Sequence, residues 1–111
     1  MTSNDPQNIA QILEALRATT KLGAHLDHAH IWEHWDDIAG PEFAPRSHPI
    51  KVRKGVLTVA VLSPVWMHKL SYDKQAMIER INRLLSKEPI EDIYLTLPTN
   101  EDLPPADPLQ K

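Results

Sequence analysis

The sequence has 111 residues, with 12 lysines and arginines, 15 aspartates and glutamates, no cysteine and a formal net charge of −3. Without cysteine, a disulfide framework, a Cys-ligated zinc or iron–sulfur site and a cysteine nucleophile are excluded. No apolar run approaches the roughly 20 residues of a membrane-spanning helix, and the polar N-terminal segment does not resemble a secretory signal. We therefore expect one cytoplasmic domain with its own core. The net charge, taken alone, argues against a nucleic-acid binder.

An amphipathic helix is predicted within residues 1–23. Asp5 and Pro6 form an N-cap and first-turn pair, and Gly23 is a plausible end. Apolar residues recur at helical spacing: Ile9, Ile12, Leu13 and Leu16. The helix can either cover the core or dock on another protein, so Leu13 and Leu16 are candidate partner-binding residues.

Residues 24–97 carry the pattern of an α+β domain. A second helix is predicted from about Leu26 to Ala39 and ends at Gly40 and Pro41, followed by an extended loop over residues 41–48. Alternating apolar residues then predict two strands, 50–53 and 56–62, joined by a short turn at Lys54 and Gly55.

One long helix is predicted to begin at Ser63 and Pro64 and to end before Pro89, about 35 Å in all, with a loosening near residues 71–73 because these are poor helix formers. A third strand follows at 90–97, so the predicted order is α-α-β-β-α-β. We expect a three-stranded sheet packed against the long helix, with its other face partly open. Residues 98–111, with four prolines, are predicted to be a disordered acidic tail.

Basic side chains are concentrated in the middle of the chain. Residues 44–87 hold nine lysines and arginines against two acidic residues, whereas residues 1–40 hold two basic and six acidic residues. Clustered cations suit phosphate binding, although a solvated surface is the plainer interpretation. The candidate nucleic-acid-binding residues are Arg46, Lys51, Arg53, Lys54, Lys69, Lys74, Arg80, Arg83 and Lys87.

Other chemical motifs are weaker. His30, Glu33 and His34 match the spacing H-x-x-E-H of a zinc hydrolase, but the chain is small for such an enzyme and offers no recognisable remote ligand. A solvated polar face is the simpler interpretation, so no metal, cofactor, catalytic residue or small-molecule substrate is predicted. Trp35 and Trp66 are expected in the core, and Trp32 is a candidate anchor for a protein partner.

Six segments, in order and at consistent spacing, resemble the DciA family of bacterial proteins. They are Trp35 to Gly40, Ala44 to Ile50, Gly55 to Val61, Ser63 to Leu70, Ile81 to Leu85 and Ile90 to Leu97. The resemblance covers about residues 9–97 and implies a K-homology-like fold. It also implies contact with the replicative DNA helicase and binding of single-stranded or tailed DNA without catalysis, at the nucleoid.

Two features depart from that pattern. The chain carries a short acidic tail where family members commonly have a flexible basic extension, and it lacks the Gly-x-x-Gly loop with which K-homology domains clamp RNA. The alternative is therefore a protein-interaction adaptor without DNA binding, docking through the acidic N-terminal helices.

Overall fold

A computed structural model describes residues 6–19 and 27–98, and it confirms an α+β fold. The helices are α1 (Pro6–Thr19), α2 (Ala29–Glu33), α3 (Trp35–Phe43), α4 (Pro64–Ser71) and α5 (Lys74–Leu84), and the strands are β1 (Ser47–Arg53), β2 (Val56–Val61) and β3 (Asp92–Thr96). The predicted cap at Asp5, the helix end at Gly23 and residues 99–111 of the predicted tail lie outside the described residues. No helix in the described ranges is long and apolar enough to cross a membrane.

The three strands form one mixed sheet in the order β1-β2-β3. β1 and β2 pair antiparallel and β2 and β3 pair parallel. Lys54 (φ 53°) and Gly55 (φ 80°) make the hairpin turn, and two successive positive φ angles are typical of the type I′ turn that matches strand twist. The carbonyl of Gly55 also accepts hydrogen bonds from the backbone N–H groups of Glu91 (2.7 Å) and Asp92 (3.3 Å). The turn therefore aligns the start of β3 beside β2.

The main core lies between one face of the sheet and helices α2 to α5. Leu57 and Val59 of β2 and Ile93 of β3 contribute to it. Its helical members include Ile31, Ile38, Leu70, Met77 and Ile81, each at most 1% exposed. The apolar periodicity seen in the sequence therefore identified the faces that pack.

Helix α1 covers part of the second sheet face, which the sequence had predicted to be partly open. Ile12, Leu13 and Leu16 pack with Ala60, flanked by Ile50 and Leu62. The His48 ring, on the same face, hydrogen-bonds to the backbone of Leu16. Since an amphipathic helix is stabilised mainly by burying its apolar face, α1 is part of this domain's packing.

The single long helix of the prediction is wrong. Two helices of 8 and 11 residues replace it. The N–H groups of Tyr72 and Asp73 bond to the carbonyls three residues earlier, those of Lys69 and Leu70. These i→i−3 bonds interrupt the α-helical pattern at the poor helix formers. Ser63 is the predicted N-cap, since its Oγ accepts from Trp66 N–H at 3.4 Å.

The second predicted helix is also divided, and the order α-α-β-β-α-β becomes α-α-α-β-β-α-α-β. Non-helical angles at His34 (φ −114°, ψ 23°) separate α2 from α3. Gly40, where the helix was predicted to end, breaks regular helix within α3 at φ 89° and ψ 164°. The predicted extended loop at 41–48 is wrong, because helical turns continue through Phe43 and a 3-10 turn spans Ala44–Arg46.

Candidate nucleic-acid interface

The predicted cations do not form one continuous surface. Arg46 precedes β1 and Arg53 ends it, and seven strand residues at about 3.3 Å each place them roughly 20 Å apart. The hairpin therefore carries basic side chains at both ends, and each group has different neighbours.

The first group, the hairpin patch, consists of Lys51, Arg53 and Lys54, all exposed. A bulge between Pro49 and Lys51 shifts the register, so that Lys51 pairs with Thr58 and Arg53 pairs with Val56. Cross-strand partners share a sheet face, and the intervening residue, Leu57, points into the main core. Lys51 and Arg53 therefore lie on the face that α1 partly covers. Within the described residues, none of the three cations forms an ion pair.

An aromatic side chain lies on the same face. Thr58 pairs with Lys51 on one side and with Tyr94 of β3 on the other. The spacing between neighbouring strands then sets the Lys51 and Tyr94 backbones about 10 Å apart. Tyr94 is 61% exposed. The sequence analysis missed Tyr94, although its position between the core-facing Ile93 and Leu95 was a usable signal.

The second group surrounds Trp66, which is half-buried rather than fully in the core. The Arg46 guanidinium carbon and Lys69 Nζ lie 4.2 and 4.7 Å from the centre of its ring, within cation–π range. Arg46 also donates to the Glu42 carbonyl at 2.6 Å, and Phe43 meets the Trp66 ring edge-on at 5.7 Å. These contacts fix Arg46 against the domain.

The predicted basic stripe along the long helix is divided as well. Arg80 donates to the Ile38 carbonyl at 2.7 Å and lies 3.4 Å from the Asp73 carboxylate, so it ties α5 to α3. Lys74 lies 3.9 Å from Asp92. Arg83 is exposed near the end of α5. Helix α5 ends before Lys87, which therefore does not continue the stripe.

The helix ends early because Asp27 binds the following loop. Its carboxylate accepts hydrogen bonds from the backbone N–H groups of Ser86, Lys87 and Glu88, each at 3.2 Å. These bonds lower the pKa of Asp27 below its ordinary value of 3.8, and the bond from Ser86 N–H contributes most. The beginning of the domain is thereby tied to the loop that leads into β3.

The three predicted partner-binding residues do not lie on one docking surface. Leu13 and Leu16 are 3% and 0% exposed, so this chain's own sheet covers them while α1 is docked. Trp32 is half-buried and packs at the edge of the main core. It also lines a surface cleft with Arg17, Asp36 and His48.

The His48 ring stands where that cleft meets α1. Its burial, together with the nearby positive charge of Arg17, lowers the pKa of His48 from 6.5 to about 4. The imidazole is therefore neutral at pH 7, and it supplies no charge for phosphate binding.

The residues with metal-binding or acid–base potential lie on another part of the chain. His30, Glu33 and His34 converge at the junction of α2 and α3. Asp36 and Asp37 are exposed on the first turn of α3. None of these side chains belongs to the hairpin patch.

Sequence comparisons show which proteins the chain is similar to. A family model described as "Dna[CI] antecedent, DciA" matches residues 8–95. The chain is also 28% identical over 94 residues to the UPF0232 protein BL0636 of Bifidobacterium longum (strain NCC 2705), an alignment that covers 85% of the chain and 60% of that relative. The match thus extends over less than two thirds of the relative's length.

Proposed function

The chain belongs to the DciA family, and from that premise we propose that it is a non-catalytic module that binds DNA and contacts the replicative helicase. Its place of action would be the bacterial cytoplasm, at the nucleoid. The observation that carries the DNA-binding part is the hairpin patch, where Lys51, Arg53 and Lys54 are exposed and, within the described residues, take part in no ion pair.

The hairpin patch would bind phosphates, and Tyr94 would contact a base. Lys51 and Tyr94 share one sheet face through Thr58, at a distance that suits one nucleotide's phosphate and its neighbouring base. Single-stranded DNA leaves base faces available for such stacking, whereas paired bases stay within the duplex. We therefore expect single-stranded or tailed DNA to bind more tightly than blunt duplex.

The Trp66 group is the weaker candidate for the same role. Arg46 is already engaged with a carbonyl and with the Trp66 ring, so binding a phosphate would cost it existing contacts. Of the remaining predicted cations, Arg83 and Lys87 are exposed, but Arg83 lies on α5, which packs on the opposite sheet face from Lys51 and Arg53.

Fluorescence anisotropy with tailed, single-stranded and blunt DNA tests the proposal. Three to five phosphate contacts on single strands predict a slope of about −2 to −3.5 for log affinity against log salt. The double substitution Lys51→Gln and Arg53→Gln should weaken binding at least tenfold and make the slope shallower by about 1.4. Lys69→Gln, which removes one cation of the Trp66 group, is the control. Unchanged affinity in the double variant would contradict the role of the hairpin patch.

Helicase contact would use a separate surface. Asp36 and Asp37 are exposed on α3, and Asp36 lines a cleft with the half-buried Trp32. Capture of the replicative helicase should fail for the double substitution Asp36→Lys and Asp37→Lys and persist for the hairpin variant. Loss of helicase capture without loss of DNA binding would separate the two activities. Helicase capture with no DNA binding in the wild-type chain would instead favour the adaptor function.

A further inference from the structure

Three side chains of metal-ligand type meet where α2 joins α3. Among residues 6–19 and 27–98, His30, Glu33 and His34 each offer a ligand atom, and these atoms all lie within 4.8 Å of one another. His30 Nδ1 is 3.5 Å from Glu33 Oε1, and the two side chains are 48% and 45% exposed. The histidine rings are 6.3 Å apart, centre to centre. An ion from solvent can therefore reach the cluster without disturbing the core.

The chain itself orients one ligand. His34 Nδ1 lies 3.2 Å from the His30 carbonyl oxygen. A carbonyl oxygen can only accept a hydrogen bond, so Nδ1 carries the proton and Nε2 keeps its lone pair. A backbone carbonyl that holds the second ring nitrogen in this way is the usual support for a metal-binding histidine.

Spacing along the chain explains why the three groups converge. Positions i, i+3 and i+4 lie on one face of a helix. α2 ends at Glu33, and His34 follows as its C-cap with φ −114° and ψ 23°. Two imidazoles and one carboxylate form a ligand set that suits Zn²⁺ with water in the remaining position. The sequence offers no third ligand at a remote position, and Glu33, within the motif itself, takes that place.

We propose that His30, Glu33 and His34 bind one divalent metal ion, with Zn²⁺ preferred, and that the ion stabilises the last turn of α2 and its junction with α3. The role is structural, and it is independent of DNA binding by the hairpin patch. His34 also lines a surface groove with Asp37 and Arg83, whose charges are opposite. Hard cations such as Mg²⁺ and Ca²⁺ prefer all-oxygen ligands, so the site should discriminate against them.

Calorimetry with the untagged chain and zinc chloride tests the proposal. We expect one ion per chain with micromolar or tighter affinity. At a hundredfold excess over the dissociation constant, the melting temperature should rise by at least about 5 °C, whereas Mg²⁺ and Ca²⁺ should leave it unchanged. Co²⁺ should produce visible d–d absorption when it replaces Zn²⁺.

Conservative substitutions identify the ligands. His30→Gln, Glu33→Gln and His34→Gln should each weaken zinc binding at least tenfold, and His68→Gln, an exposed histidine on α4, should not. Since the side chains are solvent-accessible, the metal-free variants should keep the wild-type circular dichroism and melting temperature. Absence of zinc uptake by the wild-type chain, or equal uptake by the double variant His30→Gln and His34→Gln, would overturn the proposal.

Discussion

Asn82 and Ile90 exchange two hydrogen bonds between α5 and the approach to β3. Asn82 Nδ2 donates to the Ile90 carbonyl at 3.0 Å, and Ile90 N–H donates to Asn82 Oδ1 at 2.8 Å. The Asn82 side-chain amide thus pairs with both the N–H and the carbonyl of Ile90, just before the chain enters the sheet. Ile90 itself is 2% exposed, so the pair fixes the position of a core residue two residues before β3 begins.

Replacing Asn82 with leucine should lower the free energy of unfolding by about 1–3 kcal/mol, because it leaves both backbone groups of Ile90 without these partners. Urea denaturation measures the loss. Arg83→Leu, next in sequence and exposed, is the matched control and should change stability by less than about 0.5 kcal/mol. Equal stability of the two variants would show that the exchanged bonds contribute little.

Tyr94→Ala should weaken binding to single-stranded DNA by about 5- to 150-fold, the loss of one stacked base. Tyr94→Phe should keep most of the affinity, because the stacking face remains. Tyr72→Ala removes another exposed tyrosine, 78% exposed against 61% for Tyr94, and should leave DNA affinity unchanged. Anisotropy measures all three, and equal losses for Tyr94→Ala and Tyr72→Ala would argue against stacking at β3.

Arg80→Ala should lower the free energy of unfolding and leave DNA affinity unchanged. Its guanidinium holds the Ile38 carbonyl and faces Asp73, and hydrogen bonds made by a charged group contribute about 1.5–3 kcal/mol. We expect a loss of that order in urea denaturation. Under conditions where the variant stays folded, its DNA affinity should match that of the wild type. A selective loss of DNA affinity would instead make Arg80 a phosphate ligand.

Gly40→Ala should destabilise the fold by about 1–3 kcal/mol, because φ 89° with ψ 164° is a conformation essentially restricted to glycine. A Cβ at Gly40 would meet no atom within 4 Å, so the loss would report backbone strain alone. Glu42→Ala, an exposed position in the same turn, provides the comparison. Thermal unfolding of the two variants measures the difference, and similar melting temperatures would show that the backbone adapts.

Stability should fall as the pH is lowered from about 6.5 to about 4. The pKa of His48 is about 4 in the folded chain, against the ordinary value of 6.5 that applies to the unfolded chain. Between these two values the unfolded chain binds a proton that the folded chain does not. The contribution is complete above pH 6.5 and amounts to about 2 kcal/mol after allowance for solvent screening.

Unfolding free energies of the wild type and of His48→Gln, measured from pH 4 to 7, isolate this effect. The variant should show a flatter dependence across the window. The lowered pKa of Asp27 adds a loss of the same sign only below about pH 3.8, so the two groups are separated by pH. A parallel pH dependence in both proteins would exclude His48 as the cause.

The sequence by itself determined the family, the three strands and several element boundaries, but not how the helices are divided. Ser63 and Pro64 begin a helix, and Lys54 and Gly55 turn a hairpin, because caps, proline geometry and positive φ angles act within a few residues. The helix that was expected to end at Gly40 is only broken there and continues to Phe43. The resemblance to the DciA family was confirmed by the family match over residues 8–95.

Only the tertiary structure decided which side chains meet. A bulge beside Pro49 sets the register that aligns Lys51, Thr58 and Tyr94, and packing turns Arg80 toward Ile38 while α1 closes over part of the sheet. His30, Glu33 and His34 were visible as a spacing, but their ligand atoms converge only with the rotamers and the helix break that the structure provides. Strand register and side-chain direction depend on contacts between residues far apart in the chain, and local sequence patterns carry little information about such contacts.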